Sequence, residues 1–289
     1  MTLSARLIDG LEAAALDAGK AILEVYHAGP TVSFKDDQSP VTEADERAEA
    51  IILSHLAAAY PDIPVVAEEA VAAGRVPNIG AGRFFLVDPL DGTREFIDRR
   101  DEFTVNIALI EDGIPIAGVV YAPALGVAYS GSANHAEKLE IGPNFSILRR
   151  QTISCRPRGA QLTAVVSRSH GDPKTEAFLE ERGVTDRRSI GSSLKFCLLA
   201  EGLADVYPRF GRTMEWDTAA GDAVLRAAGG RLSQPDGSPF VYGKANQPSD
   251  AAFANPAFIG WACDGGGEQT DTVEAIATCH NMTGMTRQR

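Results

Sequence analysis

The sequence predicts an α+β fold made of layered helices and sheets, and three observations support this prediction. The first half begins with two helical patterns and continues with short apolar runs separated by turn residues, as in an antiparallel meander. The second half alternates strand-like and helix-like segments, which indicates a partly parallel sheet covered by helices. The composition is that of a globular chain, because 44% of the 289 residues are hydrophobic and 23% are charged.

Two amphipathic helices are predicted at the start of the chain. Apolar residues recur at helical spacing over residues 3–27, and Gly29-Pro30 ends that helix. A short strand at residues 31–35 leads to a polar loop and then to Thr42-Glu43-Ala44-Asp45, which has the pattern of a capping box opening a second helix. Asp45 therefore has an ordinary structural interpretation, as the acidic partner of a helix cap.

The rest of the first half is predicted to consist mainly of strands. Glu111-Asp112-Gly113 separates two apolar runs and indicates a hairpin. Residues 70–82 are predicted to form a mobile loop, and residues 131–160 an irregular stretch that contains the boundary between the halves. The predicted strands are residues 63–67, 83–87, 103–110, 114–121 and 127–129.

The second half is predicted to alternate strands and helices. Ser192 or Ser193 is expected to cap one of the helices, and Gly229-Gly230 to end the last one. The predicted strands are residues 162–166, 184–190 and 204–207, and the predicted helices are residues 173–182, 193–201 and 217–228. We therefore divide the chain into an N-terminal half at residues 1–150, a C-terminal half at residues 151–263 and a poorly ordered tail at residues 264–289.

Composition argues against several classes of protein. A formal net charge of −12 disfavours a sequence-independent nucleic-acid binder, and no run reaches the roughly 18 apolar residues of a membrane span. The four cysteines include no CxxC pair, so neither a zinc site nor a disulfide framework is expected. The N-terminus has no signal-peptide pattern, and these features together favour a reducing cytoplasm.

The stretch from Asp88 to Thr93 carries the clearest functional signal. It follows an apolar strand and places two carboxylates three residues apart, with Pro89 stiffening the backbone between them. Carboxylates at the end of a strand suit a hard divalent cation such as Mg²⁺, and the free N–H groups of a following helix suit a phosphate. The alternative is an Asp-Gly turn closed by a capping threonine.

Distant acids extend this signal. Glu68 and Glu69 stand at the end of another predicted strand, although two adjacent acids usually form a solvated turn. Asp217 stands at the start of the last main helix, where it could also be an N-cap. Oxygen ligands for two or three Mg²⁺ ions would come from Glu68, Asp88, Leu90 (its carbonyl), Asp91 and Asp217.

A set of separated motifs resembles the Mg²⁺-dependent, lithium-sensitive phosphatase superfamily of inositol monophosphatases, and within it the 3'(2'),5'-bisphosphate nucleotidases. The resemblance covers about residues 5–262. The motifs are Ser39 to Asp45, Glu68-Glu69, Asp88 to Phe96, Ser167-Arg168-Ser169-His170, Gly191 to Cys197, Tyr207-Pro208-Arg209 and Glu215 to Gly221. The resemblance implies a layered αβαβα sandwich that binds a small phosphorylated substrate, a nucleotide bisphosphate. From its charge and cysteines the chain is further expected to be cytoplasmic and to bind no nucleic acid, and it is expected to be a monomer or homodimer.

The resemblance also implies a role for each residue of the site. The metal ligands would be Glu68, Asp88, the Leu90 main chain, Asp91 and Asp217. Asp45 and Thr93, with Glu68, would act on the water nucleophile, so that no covalent enzyme intermediate forms. The N–H groups of Gly92 and Thr93 would bind the scissile phosphate beside Leu90, Asp91 and Asp217. The nucleotide and its second phosphate would be held by Ser167, His170, Gly191, Lys195 and Arg209.

Plainer interpretations of three of these residues stay open. Lys195 lies among apolar residues and could be a snorkelling surface lysine. His170 could be an ordinary loop histidine, and Arg209 could pair with a surface acid. Arg94 stands where lysine is commoner in this subfamily, and the two cations differ in geometry.

The favoured function is hydrolysis of adenosine 3',5'-bisphosphate (PAP), and of its sulfated form, to support sulfate assimilation. The main alternative is an inositol monophosphatase with loose sugar-phosphate specificity. An aspartyl-phosphate phosphatase is disfavoured because it needs Asp-x-Asp, whereas the spacing here is Asp-x-x-Asp. A metal-dependent binder without turnover is disfavoured because every expected ligand and Thr93 are present.

Overall fold

Two helices cover one face of a large sheet. The computed structural model describes residues 3–34, 40–80, 82–168 and 171–263, with side chains from residue 6 onwards. Helix α1 (Leu3–Ala28) buries one apolar stripe, and helix α2 (Glu43–Ala59) packs beside it. Thr42 caps α2 through the predicted capping box. Both helices therefore lie where the apolar periodicity of the sequence predicts them.

The large sheet has seven strands that follow one another in chain order. Its first two strands are parallel and every later neighbour is antiparallel, which confirms the predicted meander. The strands are β3 (Val65–Ala67), β4 (Arg83–Asp91), β5 (Thr104–Glu111), β6 (Ile114–Ala122), β7 (Val127–Ser132), β8 (His135–Ile141) and β9 (Ile147–Ile153). A separate two-stranded sheet pairs β1 (Val32–Phe34) with β2 (Pro40–Thr42).

Two sequence predictions in this half are wrong. Residues 131–160 are not irregular, because β8 and β9 extend the sheet there. The edge strand β9 exposes most of its side chains. Its sequence therefore lacks the alternation of apolar and polar residues that predicts a strand. Residues 70–82 are not entirely loop, because helix α3 (Glu68–Ala72) includes their first residues. Glu68 and Glu69 therefore open a short helix and do not form a turn.

The second half forms a five-stranded sheet in the order β11-β10-β12-β14-β13. Strand β10 is parallel to both neighbours, as the alternation of strands and helices predicts, whereas β14 is antiparallel to both of its own. The strands are β10 (Thr163–Ser167), β11 (Asp186–Ile190), β12 (Val206–Arg209), β13 (Arg231–Ser233) and β14 (Phe258–Trp261). The helices are α5 (Pro173–Glu181), α6 (Leu194–Ala200) and α7 (Ala219–Ala227).

The helices and sheets stack in five layers. Helices α1 and α2 cover the outer face of the seven-stranded sheet, α6 and α7 fill the space between the sheets, and α5 covers the outer face of the second sheet. This arrangement confirms the αβαβα expectation. None of the helices in the described ranges is both long and apolar enough to cross a membrane. The predicted tail at residues 264–289 and the polar loop at residues 35–39 lie outside the described residues.

Two glycines bring α7 against the seven-stranded sheet. A Cβ atom on Gly118 would lie 2.8 Å from the Ala220 carbonyl oxygen, and one on Gly131 would lie 2.7 Å from the Cα of Val224. Any larger residue would push the helix away from the sheet. Because α7 packs this closely, the turn that precedes it, which contains Asp217, lies near the end of β4 with its acidic motif.

Candidate active site

The acidic residues of the first half meet at one edge of the seven-stranded sheet. Because β3 and β4 are parallel neighbours, their ends lie side by side, with Glu68 after β3 and Asp88 and Asp91 at the end of β4. The register with β5 shifts between Asp88 and Asp91, which indicates a local bulge. The Leu90 N–H donates to Asp88 Oδ1 at 3.0 Å and holds this carboxylate in place.

The fourth acid comes from the second half. Asp217 is not the N-cap of α7, because Thr218 occupies that position and the helix begins at Ala219. Asp217 Oδ2 instead accepts the N–H of Met214 at 2.8 Å. The sequence allowed a capping role only because the helix start could not be placed to within one residue.

Ser193 joins the two halves of the acidic site, and sequence reasoning missed this role. Its Oγ lies 3.0 Å from Asp91 Oδ2 and 2.8 Å from the Asp217 carbonyl oxygen, so the hydroxyl can donate to either. Ser193 stands at the N-cap of α6, but its side chain makes no capping bond. Ser193 thus occupies the predicted cap position, but the predicted hydrogen bond from its side chain to the start of the helix is not made.

The carboxylates raise one another's pKa values. Burial raises the pKa of Asp88 well above its usual range, and the charges of Glu68, Asp91 and Asp217 raise it further. Burial also raises the pKa of Asp217, with Asp91 and Glu68 adding to the effect. Burial raises the pKa of Asp91, which the charge of Lys195 opposes. A group of buried acids that repel one another is poised to take up a cation.

Asp45 contacts two different partners with its two oxygens. Oδ2 accepts the N–H and the hydroxyl of Thr42, each at 2.8 Å, which completes the cap of α2. Oδ1 lies 3.3 Å from Thr93 Oγ1, which is also 3.3 Å from the Leu90 carbonyl oxygen. The Thr93 hydroxyl has one proton and can donate it to one of these acceptors at a time. The capping and functional interpretations of Asp45 are therefore compatible.

Thr93 starts α4 (Thr93–Ile97), and Gly92 precedes it with a φ of +92°. This left-handed conformation is easily reached by glycine and costly for residues with a Cβ atom. A Cβ on Gly92 would also approach the Glu102 carbonyl oxygen to 3.3 Å. Glycine at this position lets the chain turn sharply from β4 into α4, so that the Thr93 side chain lies next to Asp45.

A cavity of about 290 Å³ opens beside the acids. Glu68, Asp91 and Asp217 line it together with cationic side chains from both halves. The predicted residues Gly92, Thr93, Ser167, Gly191, Lys195 and Arg209 line it as well. His170 lies outside the described residues.

Lys195 and Arg209 are not surface cations. They are 6% and 8% exposed, which excludes a snorkelling lysine and an arginine that pairs with a surface acid. Lys195 Nζ donates to the carbonyl oxygens of Ser192 and Ile190, and burial lowers its pKa to about 8. Arg209 Nη2 donates to the Arg212 carbonyl oxygen at 3.2 Å. Both cations face the cavity that the acids line.

Two more arginines line the cavity, Arg94 and Arg212. In the sequence, Arg94 stands out only as a departure from lysine, and Arg212 belongs to none of the motifs. The signal that could have found Arg212 is its position three residues after Arg209 and five before Asp217. Together these cations offset the negative charge of the chain where an anionic substrate would enter.

The donor set of the acidic site fits a hard divalent cation. All of the expected ligands are oxygens, from four carboxylates and one carbonyl group. Within the described ranges, no three His, Cys, Asp or Glu side chains are drawn together closely enough to hold a metal ion as they stand. The fit therefore rests on the ligand chemistry and on the mutual repulsion of the carboxylates. Two buried polar side chains opposite the β4 acids, Thr104 and Asn106, also make no hydrogen bond among the described residues.

Asp88→Asn is expected to raise the melting temperature of the metal-free protein by a few degrees at neutral pH. The change removes one charge from a buried, repelling group, and ~1 kcal/mol shifts the melting temperature of a chain of this size by about 2–4 °C. It is also expected to remove most of the stabilisation that Mg²⁺ gives to the wild type, about 2.7 kcal/mol at 100 times the Kd. Differential scanning fluorimetry with EDTA and with Mg²⁺ measures both effects.

Asp222→Asn is the matched control. Asp222 is buried but paired with Arg226 at 2.8 Å and with the Tyr242 hydroxyl at 3.1 Å. Its loss should destabilise the protein and leave the Mg²⁺-induced shift intact, because this acid lies outside the site. A Mg²⁺ shift in Asp88→Asn as large as in the wild type would contradict the metal assignment.

Comparisons with known proteins agree on one family. A sequence profile described as "Inositol monophosphatase family" matches residues 4–255. The 3'(2'),5'-bisphosphate nucleotidase CysQ of Escherichia coli (strain K12) is 45% identical over 254 residues, which cover 87% of this chain and 98% of the relative. The corresponding protein of Haemophilus influenzae is 30% identical over 261 residues, with 90% and 94% coverage.

Solved structures show the same likeness. The crystal structure of CysQ from Bacteroides thetaiotaomicron, described as a bacterial member of the inositol monophosphatase family, superposes with a TM-score of 0.71 and 36% identity. The superposition covers 90% of this chain and 98% of that chain. A Thermotoga maritima IMPase superposes with a TM-score of 0.69 at 23% identity, which supports the fold alone.

Proposed function

Because this chain belongs to the inositol monophosphatase family, we propose that it is a phosphatase that removes the 3'-phosphate of PAP and of its sulfated form. The family resemblance inferred from the sequence motifs is thereby confirmed. The observation that carries the proposal is the cavity itself. It joins the carboxylates proposed to bind metal to a wall of buried cations, which is the arrangement needed to cleave one phosphate while holding another.

The enzymes of this family depend on a metal. The ion proposed here is Mg²⁺, in two or three copies held by Glu68, Asp88, Asp91, Asp217 and the Leu90 carbonyl. When bound, Mg²⁺ supplies a Lewis acid that offsets the charge developing on the phosphoryl oxygens. The chain's own contribution is to place these oxygen ligands at one sheet edge, and the Ser193 hydroxyl supports it by donating to either Asp91 or the Asp217 carbonyl oxygen.

The Asp45–Thr93 pair acts on the attacking water. Thr93 Oγ1 can accept a proton from water while it donates its own to Asp45 Oδ1, and Glu68 lines the same cavity to help orient the water. The cap bonds from Thr42 keep Asp45 from rotating away. The N–H groups of Gly92 and Thr93 hold the scissile phosphate next to Leu90, Asp91 and Asp217. Water attacks phosphorus directly, the bond between phosphorus and the 3'-oxygen breaks, and that oxygen leaves with AMP and takes up a proton from solvent.

The cationic wall favours the nucleotide over inositol phosphate. A substrate with a single phosphate has no use for a second cluster of cations, whereas PAP carries a 5'-phosphate in addition to the one that is cleaved. Ser167, His170, Gly191, Lys195 and Arg209 are proposed to line the subsite for the nucleotide and this second phosphate. Hydrolysis of inositol phosphate remains the competing function, and it would leave the fold, the metals and the mechanism unchanged.

Lys195→Met is expected to lower kcat/KM for PAP by about 10- to 100-fold. This range corresponds to the loss of one charge-assisted hydrogen bond to phosphate, about 1.5–3 kcal/mol. Adenosine 3'-monophosphate lacks the 5'-phosphate, so its kcat/KM should change by less than about threefold. Phosphate release from both substrates, and from inositol 1-phosphate, tests this with Mg²⁺ present and with Li⁺ added as an inhibitor.

Lys138→Met is the matched control, because Lys138 pairs with Glu201 at 2.6 Å and does not line the cavity. It should leave every rate near that of the wild type. If Lys195→Met lowers kcat/KM equally for PAP and for adenosine 3'-monophosphate, Lys195 does not bind the second phosphate. A wild-type preference for inositol 1-phosphate would favour the competing function.

A further inference from the structure

Glu102 connects three segments that surround the cavity. It lies between α4 and β5, and its Oε2 makes one hydrogen bond and one ion pair with the second half of the chain. The hydrogen bond comes from the Gly191 N–H at 2.7 Å, and the ion pair is with Arg168 Nη1 at 2.9 Å. Arg168 Nη2 also donates to the Ser189 carbonyl oxygen at 3.0 Å. A single carboxylate thus holds the segment after β10 and the segment after β11.

The contact with Gly191 is close on the backbone side as well. A Cβ atom on Gly191 would lie 2.9 Å from the Glu102 carbonyl oxygen and 3.1 Å from Glu102 Cβ. Glycine is required here because no larger residue allows the two segments to approach. The Gly191 N–H already donates to Glu102. The contact with Glu102 therefore explains why a glycine stands at this position of the site.

Through Gly191 and Arg168, Glu102 is connected to residues that line the cavity. Ser192 follows Gly191 with a φ of +48°, a conformation that is uncommon for serine and that the neighbouring contacts must maintain. The Ser192 carbonyl oxygen accepts from Lys195 Nζ. On the other side, Arg168 directly follows Ser167, which lines the cavity. Glu102 therefore sits behind both parts of the wall on which the second phosphate is expected to bind.

We propose that Glu102 is a positioning residue that sets the bisphosphate specificity of this enzyme. By holding Gly191 and Arg168, its carboxylate fixes Ser167 and Lys195 at the spacing that a nucleotide with two phosphates requires. This inference rests on the proposed function and extends it. Glu102 does not line the cavity, so it acts through these residues and not by touching the substrate. The cleaved phosphate is held by β4 and α4, and its chemistry does not depend on this contact.

Steady-state kinetics with PAP and adenosine 3'-monophosphate test the proposal. Glu102→Ala is expected to raise KM for PAP at least tenfold, with kcat changed by less than threefold. The kcat/KM for adenosine 3'-monophosphate is expected to change by less than threefold. Glu102→Gln keeps an acceptor for the Gly191 N–H and loses the charge that faces Arg168, so its KM should lie between those of the wild type and Glu102→Ala. Arg168→Met, which removes the ion pair with Glu102 and the hydrogen bond to Ser189 but keeps the Gly191 contact, should resemble Glu102→Gln.

Glu111→Ala is the matched control, because Glu111 forms an ion pair with Arg83 at the opposite end of β5. It should leave both substrates unaffected. Wild-type KM values in Glu102→Ala, or equal losses on the two substrates in both Glu102→Ala and Arg168→Met, would overturn the inference alone. A wild-type protein that neither hydrolyses PAP nor binds it in calorimetry would overturn the proposed function and the inference together. If Glu102→Ala does not fold, the KM shifts of Glu102→Gln and Arg168→Met decide between these results.

Discussion

Asp91→Asn is expected to lower kcat/KM for PAP by at least about 1,000-fold, which corresponds to ~4 kcal/mol of lost transition-state stabilisation. Asp91 is an expected metal ligand, and its Oδ2 lies 3.0 Å from the Ser193 hydroxyl, which can donate either to it or to the Asp217 carbonyl oxygen. An amide in its place keeps the shape and removes the charge that holds a cation. Phosphate release at saturating Mg²⁺, compared with that of the wild type, measures the effect.

The same variant should keep its fold. Burial raises the pKa of Asp91, so the ionised carboxylate is a cost to the metal-free protein and not a source of its stability. Circular dichroism should therefore be unchanged, and the melting temperature in EDTA should equal or exceed that of the wild type. Full activity in Asp91→Asn would show that this carboxylate does not hold the metal.

Thr93→Val is expected to lower kcat by about 100- to 10,000-fold, the usual contribution of a positioned proton-transfer group. Valine keeps the branched shape and loses the hydroxyl that lies 3.3 Å from Asp45 Oδ1. KM for PAP and the Mg²⁺-induced thermal shift should stay near those of the wild type, because Thr93 holds neither the second phosphate nor the metal. Single-turnover phosphate release in the presence of Mg²⁺ isolates this step.

Thr93→Ser is the control for this prediction, since serine restores the hydroxyl and should recover most of the rate. Thr93 is a cleaner target than Asp45, whose removal would also break the cap of α2. A Thr93→Val variant that turns over at the wild-type rate would exclude the Asp45–Thr93 pair from the chemistry. Loss of the Mg²⁺ shift in this variant would reassign Thr93 to metal binding.

Local patterns in the sequence predicted much of the fold. The capping box at Thr42, the helical spacing of α1 and the hairpin between β5 and β6 depend on residues close together in the chain, and all three are confirmed. Strands β13 and β14 were missed because they are three and four residues long and lie among glycine, serine and proline residues. Their place in the sheet is set by pairing with distant partners.

The acids of the site could be predicted, but the environment of each could not. The sequence offered two interpretations of Asp45, and the structure shows that its two oxygens serve the cap and Thr93 separately. Lys195 could not be told from a surface lysine, because its burial depends on how α6 packs between the sheets. Glu102 gave no signal at all, since its partners lie 66 and 89 residues away along the chain (168 − 102 and 191 − 102).

Phosphorus NMR of PAP incubated with the wild-type protein tests the central claim most directly. With Mg²⁺, the 3'-phosphate signal should disappear as orthophosphate grows, while the 5'-phosphate signal shifts to that of AMP and keeps its area. With EDTA in place of Mg²⁺, neither signal should change. Loss of the 5'-phosphate first, or unchanged signals when Mg²⁺ is present, would contradict the assignment of this site as a metal-dependent 3'-phosphatase.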